Sequence, residues 1–272
     1  MEIKLIAFDL DGTLLDSRHQ LNPKTIEAVE EVRSLGIKTL IATGRMYISA
    51  KPHTDSLGIT DPVITYNGAL VMNPVDNLEL YHSPVPLRIA KKISKKVEEC
   101  SYYLQTFLDD TLYVAEKNSY TKKYEKIAGV TAETVGDLSE FMDKGPTKML
   151  IIEEDEDIQV DIKNFLLRNF SEEIEVSQSY PSFIEITKKG ISKAVPLKRL
   201  AEENNLKREE VMAFGDGLND LRMIEWAGVG VGMENAHPHL QEAADDIAHA
   251  HDELGVARYL KQHFDLKIDL NK

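Results

Sequence analysis

Leu5-Ile6-Ala7-Phe8-Asp9-Leu10-Asp11-Gly12-Thr13 reads as a short apolar strand that runs out into two carboxylates. An unbroken apolar run of this length, closed by a turn signal, suits a strand buried in a parallel sheet. Gly12 breaks the strand, so the chain turns just after Asp9. Open α/β sheets hold their ligands at the carboxyl ends of strands, and residues two apart on a strand share a face. One carboxylate is thereby placed to act as a nucleophile and the other to move protons. A carboxylate nucleophile at such a strand end suits capture of a phosphoryl group as an aspartyl phosphate. The bare Asp-x-Asp spacing is more often a surface turn. The apolar strand before it and Gly12-Thr13-Leu14-Leu15 after it set this one apart.

Outward from this stretch the chain alternates strand and helix signals. Strands are expected at residues 3–8, 37–42, 62–65, 211–214 and 229–232. A helix opens at Asn22-Pro23, with Asn as cap and Pro in the first turn. Ile26, Val29, Val32 and Leu35 form its apolar stripe, and Gly36 stops it. Such alternation predicts an α/β fold with a doubly wound, Rossmann-like parallel sheet. Between residues 83 and 187 the motif-bearing turns vanish. Helices at 86–99, 138–142 and 158–170, a hairpin of 102–108 and 111–115 around Asp109-Asp110, and strands at 148–153, 174–178 and 183–187 describe an inserted α+β cap domain. The core is thus expected from residues 1–82 and 188–272. Lys91, Lys92, Lys95 and Lys96 have the spacing of a solvated helix face.

Three further segments fall at strand or helix ends that one sheet edge can share with Asp9. The Thr43 hydroxyl and the Gly44 amide suit phosphoryl oxygens. Lys193, at the entry to a helical pattern, can neutralise charge on Asp9 and on phosphate. Gly215-Asp216-Gly217-Leu218-Asn219-Asp220 puts two acids and an amide in a tight turn, which suits a hard cation with oxygen ligands. Mg²⁺ is the expected cofactor, held by Asp9, Asp216 and Asp220 with a backbone carbonyl near Asp11. Asp11 is the expected general acid and base.

These segments, taken in order, resemble the four motifs of the haloacid dehalogenase superfamily. Thr43-Gly44-Arg45, Tyr66-Asn67-Gly68-Ala69 and the 215–220 turn resemble its Cof-type sugar-phosphate phosphatase subfamily, which carries a large α/β cap between the second and third motifs. The resemblance implies a Mg²⁺-dependent phosphatase acting on a small phosphorylated metabolite such as a sugar phosphate. It implies that Asn219 bonds a phosphoryl oxygen and that Arg45 and Asn67 face the substrate. A phosphomutase with the same nucleophile and a non-catalytic sugar-phosphate sensor are the alternatives. The chain departs from the pattern at Met233-Glu234-Asn235-Ala236, and again at Ala248 and His251 ahead of Gly255-Val256-Ala257.

Bulk properties bound the reading. The 272 residues suffice for one large or two modest domains. A net charge of −14 opposes the phosphate backbone of nucleic acid, so no nucleic-acid partner is expected. No stretch approaches the roughly 18 apolar residues of a membrane span, and no leader pattern opens the chain. Cys100 is the single cysteine, which excludes an intrachain disulfide and fits a reducing cytoplasm. It reads as a small, buried or half-buried side chain at a helix end. No obligate protein partner is expected. His237, His239, His249 and His251 read as helix-start and loop residues, with a second metal site as the alternative.

Overall fold

Leu5–Phe8 is the central strand of a parallel sheet, and all four of its side chains are buried. The computed structural model describes residues 2–270. The chain divides into two compact units, one drawn from residues 1–44, 50–80 and 192–272 and the other from Arg45–Ser49 and Tyr81–Ile191.

In the first unit five parallel strands lie in the order Asp246–Ala248, Val229–Met233, Val211–Gly215, Leu5–Phe8, Lys38–Ile41. Leu5 pairs with Val211 on one side and Lys38 on the other. A bridge from Ala42 to Ile64 brings Val63–Thr65 alongside the end of Lys38–Ile41. From Leu5–Phe8 the chain first builds to one side and later returns to build to the other. The reversal falls between Leu5–Phe8 and Val211–Gly215, which is the place where doubly wound sheets open a crevice for ligands. Phe8 and Phe214 stack across this pair, with ring centroids 5.3 Å apart.

The expected helix spans Pro23–Ser34, and the Asn22 side chain accepts from the Lys24 amide at its start. Its inward stripe is Thr25, Ala28, Val29 and Val32. Leu35, expected in that stripe, is the C-cap and is 59% exposed, because the helix ends one residue earlier and the chain turns out through Gly36. Cys100, expected to be buried or half-buried, is exposed at the end of Leu87–Glu99. No strong sequence signal marks the helix Tyr47–Ser56, which contains Pro52, or the strands Leu70–Asn73 and Leu78–His82, which join Val63–Thr65 in a small sheet.

The second unit carries a six-stranded sheet in the order Ile174–Ser177, Phe183–Lys188, Lys148–Ile152, Tyr103–Leu108, Thr111–Val114, Ala132–Thr134. Leu104, Met149, Ile151, Ile184 and Ile186 present one apolar face, packed with Ile89, Ile93 and Val97 of Leu87–Glu99 and with Ile162, Leu166 and Phe170 of Glu156–Phe170. The tip of the expected hairpin has φ of 48° at Asp109 and 55° at Asp110. Consecutive left-handed residues are what a tight hairpin turn demands. The Asp110 carboxylate accepts from the Tyr47 and Ile48 amides at 2.8 and 2.6 Å, which ties Arg45–Ser49 to this unit. The helix Ser119–Ala128 escapes the sequence pattern because it buries only Thr121, Tyr124 and Ala128.

Lys148 and Glu185 point away from the apolar face, one strand apart. Lys148 Nζ donates to Glu185 Oε1 at 2.7 Å, and each side chain is 2% exposed. Removing one member of a buried pair leaves an uncompensated charge, whereas replacing both with apolar groups does not. Lys148→Met should therefore cost about 3–5 kcal/mol of stability. The double change Lys148→Met with Glu185→Leu should recover most of it. Urea denaturation of the three proteins checks this, and equal losses in the single and double variants would refute it.

Candidate active site

Asp9 follows Phe8, and its amide donates to Phe214 O at 3.0 Å, so the parallel ladder continues to the sheet edge. There its side chain is 6% exposed. Lys193 Nζ donates to Asp9 Oδ1 and to Asp220 Oδ1, each at 2.6 Å, and is fully buried. Lys193 opens the helix Ala194–Glu203. The turn Tyr66–Gly68 packs directly against the residue before it. Gly68 has φ of 100°, and a Cβ there would collide with Ser192 O, so only glycine admits this approach.

Asp220 also closes its own loop. Its Oδ2 accepts from the Asp216 and Gly217 amides at 3.1 and 3.0 Å. Asp216 Oδ1 accepts from Thr13 Oγ1 at 3.4 Å. Gly12, with φ of 76°, lies so close to Asp216 that a Cβ would collide with Asp216 Oδ2. Asp11 follows the nucleophile candidate, and His19 Nδ1 lies 3.1 Å from its Oδ1. The sequence held no sign of His19 at the site, because it stands neither at a strand end nor in a metal-ligand spacing.

Thr43 is buried; its amide donates to Ile64 O and its carbonyl accepts from the Asn67 amide. Asn67 adopts the left-handed region at φ 57°, and its Oδ1 accepts from Asn219 Nδ2 at 3.0 Å. Thr43, Gly44, Asn67 and Asn219 thus gather beside the Asp9 strand end within the first unit. Arg45 belongs to the second unit, where its Nη1 donates to Ser49 Oγ at 3.3 Å.

Charge here is out of balance. Burial, together with Asp220, Asp216 and Asp11, holds the Asp9 carboxyl well above the usual carboxylate range, against the opposing pull of Lys193. Burial and the Asp220 charge push Asp216 up to about 7. Burial disfavours the Lys193 ammonium, but the Asp220 and Asp9 carboxylates outweigh it and keep the ammonium charged. One ammonium faces a cluster of acids whose oxygens lie within 4.8 Å of one another at Asp9, Asp216 and Asp220. Hard oxygen donors with surplus negative charge fit a divalent cation. Asp220, expected among the ligands, stands in this group with Asp9 and Asp216, and its oxygens also accept from Lys193 and from the amides of its turn.

Of the histidines, His237 caps the helix Pro238–Ala243 and accepts from the His239 amide. His249 stands with Glu234 and Glu253 in an exposed group. The His251 amide donates to Asn235 Oδ1.

A model of the haloacid dehalogenase-like hydrolases matches residues 6–260, and the chain belongs to that family. It is 33% identical over 98% of its length, and all of the relative's, to 5-amino-6-(5-phospho-D-ribitylamino)uracil phosphatase YitU of Bacillus subtilis. Its fold is similar to that of a haloacid dehalogenase-like hydrolase from Bacteroides thetaiotaomicron, with a TM-score of 0.88 at 28% identity, covering 97% of this chain and 100% of the other. It is also similar to the subclass IIB sugar phosphatase BT4131, with a TM-score of 0.83 at 27% identity over 96% and 99% of the two chains. The protein is a phosphatase of this family. No helix among the described residues is long and apolar enough to cross a membrane.

A carboxyl whose folded pKa exceeds its unfolded value stabilises most below the unfolded value, and that contribution fades as pH rises through the folded one. For Asp216 the window runs from 3.8 to about 7. In chelator the protein should thus lose on the order of a few kcal/mol between pH 5 and pH 8. Asp216→Asn should flatten that loss, and added Mg²⁺ should reverse it in the parent but not in the variant. Calorimetric melts at the two pH values check this, and identical slopes for parent and variant would contradict it.

Proposed function

We propose that this protein hydrolyses a small phosphorylated metabolite, of the sugar-phosphate class, through an aspartyl phosphate on Asp9. The observation that carries the reading is the buried Lys193 ammonium at 2.6 Å from both Asp9 and Asp220, with Asp216 in the same cluster of acids. In this reading Asp9 attacks phosphorus in line as the bond to the leaving oxygen breaks. Asp11 gives its proton to that oxygen, then takes one from the water that attacks the acyl phosphate and frees Asp9. Lys193, the Thr43 hydroxyl, and the Gly44 and Asn219 amides stabilise the charge spread over the phosphoryl oxygens. Mg²⁺, when held by Asp9, Asp216 and a backbone carbonyl near Asp11, would neutralise charge on the phosphoryl group and on the surrounding acids.

The core residues meet the phosphate, which is common to every candidate ester. We assign choice of the leaving alcohol to the second unit, with Arg45 and Asn67. The names of the relatives, a phosphoribitylamino-uracil phosphatase and a sugar phosphatase, support a polyhydroxylated phosphate ester as substrate. The single exposed cysteine fits a reducing cytoplasm.

Phosphate release from a panel of phosphorylated metabolites tests the reading. At least one sugar or polyol phosphate should be turned over with Mg²⁺ and not in excess chelator. Asp9→Asn, nearly isosteric, should fold normally and lose turnover by at least about 10⁴-fold. A folded Asp9→Asn protein with substantial activity would remove Asp9 from the role of nucleophile. Formation of a second phosphate ester in place of free phosphate would point to a mutase.

Exchanging the inserted segment for that of a relative should reorder kcat/KM among substrates, whereas Asp216→Asn should depress all of them alike. A folded, active chimera that keeps the parent's substrate ranking would show that the insert does not choose the substrate.

A further inference from the structure

We infer that Asn235 is a positioning residue for the metal-binding acids: its side-chain amide ties the turn after Asp11 to the turn that also holds the Asp216 main chain, and so sets how tightly Mg²⁺ is bound. The inference rests on the phosphatase reading above and deepens it. Asn235 Nδ2 donates to Gly12 O at 2.9 Å, and the His251 amide donates to Asn235 Oδ1 at 3.0 Å. A backbone carbonyl only accepts and a backbone amide only donates, so the two partners fix which end of the Asn235 amide faces which. The partners lie 223 and 16 residues away along the chain. One side chain thus joins three segments.

Asn235 stands in a turn that is closed on its own account. The Ala236 amide donates to Met233 O at 2.9 Å, and Gln241 Nε2 donates to Glu234 O at 2.7 Å. Two residues after Asn235, the His237 amide donates to Asp216 O at 2.9 Å. The same short turn therefore grips Asp216 through the His237 main chain and Gly12 through the Asn235 side chain. The two gripped residues meet. Thr13 Oγ1 lies 3.4 Å from Asp216 Oδ1, and a Cβ on Gly12 would fall 2.2 Å from Asp216 Oδ2. Gly12 also adjoins Asp11, near which the carbonyl ligand is proposed.

Lys193 and Asp220 restrain Asp9 and Asp216 from the buried side of the cluster. Asn235 restrains the side where the chain leaves Asp11. The residue is exposed, so its loss should cost the fold little. What its bonds supply is position. Mg²⁺ demands near-ideal octahedral geometry from its oxygens. Freeing the Gly12 turn to shift against Asp216 should therefore appear as weaker metal binding before it appears as lost stability.

The test measures metal binding directly in the full-length protein at pH 8. Mn²⁺ takes similar oxygen ligands, and its binding is followed by loss of the free-ion electron paramagnetic resonance signal, counting only the Mn²⁺ that Mg²⁺ displaces. Asp216→Asn, which removes a proposed ligand, should abolish that displaceable fraction and so identifies the site. Asn235→Ala removes both bonds. Asn235→Asp keeps the acceptor for the His251 amide but sets a carboxylate oxygen against Gly12 O, and its added charge, ionised at this pH, would by itself attract the metal. Both Asn235 variants should raise the dissociation constant about 5–20-fold. Hydrolysis of p-nitrophenyl phosphate should need correspondingly more Mg²⁺, with kcat at saturation within about threefold of the parent. Val29→Ala, at a buried position of the helix Pro23–Ser34, is the control for general loosening: it should lower the melting temperature and leave the constant within about twofold. Should Asn235→Ala fail to fold, Asn235→Asp carries the test. A parent-like constant in a folded Asn235 variant, or an equal rise in Val29→Ala, would overturn the inference and leave the phosphatase reading intact. A parent with no displaceable Mn²⁺, or one whose displaceable Mn²⁺ survives Asp216→Asn, would overturn the metal reading beneath and the inference with it.

Discussion

Lys193 is the constraint on which the site depends. A fully buried ammonium is tolerable only with partners, and it has two, Asp9 and Asp220, each at 2.6 Å. Those contacts reach 184 and 27 residues away along the chain, so they fix three segments against one another at once. Asp220 transmits the restraint further, because its second oxygen gathers the Asp216 and Gly217 amides. The position of Asp216 relative to Asp9 therefore follows from one lysine and one aspartate. Gly12 and Gly68 supply the close approaches that side chains would block.

The sheet makes this convergence possible. Reversal of strand order between Leu5–Phe8 and Val211–Gly215 leaves the carboxyl ends of both strands open on the same crevice. Asp9 leaves one strand and Asp216 follows the other, while Thr43 leaves the neighbour on the far side. Each acid sits in a loop after a buried strand, where backbone amides are available to it. The same burial that orders the acids raises their proton affinity, so this edge of the sheet has surplus negative charge. Stability is spent here on a surface complementary to a cation and a phosphoryl group.

Much of this was legible before any coordinates. Four of the five strands of the core sheet announce themselves as apolar runs closed by Gly, Asp or Thr, and lie within a residue or two of those runs; Asp246–Ala248, three residues opening on an acid, does not. The acids at Asp9 and Asp216 and the ammonium at Lys193 were legible because they stand at punctuated ends of strong elements. What stayed hidden lacks periodicity or depends on distance in space. The helix Ser119–Ala128 has too narrow an apolar stripe to register. Tyr47–Ser56 reads as broken by Pro52. Arg45–Ser49 looks like the start of a core helix, yet Asp110, far along the chain, claims its amides. His19 could not be found because its partner is eight residues back across a turn that only a left-handed backbone closes.

The two fully buried lysines of the described chain make the electrostatic argument by contrast. Lys148 and Lys193 are equally inaccessible, and each donates to a buried carboxylate at 2.6–2.7 Å. Around Lys148 the described cluster of charge is one cation against Glu185, with the Phe107 ring 5.2 Å from the ammonium. That pair sets one cation against one carboxylate. Around Lys193 there are Asp9, Asp220 and Asp216, and two of those carboxyls are pushed up. Burial and ion pairing alone do not separate a structural lysine from one at a reacting centre. The surplus of acid does, because a fold has no reason to retain unneutralised buried carboxylates unless something else arrives to meet them.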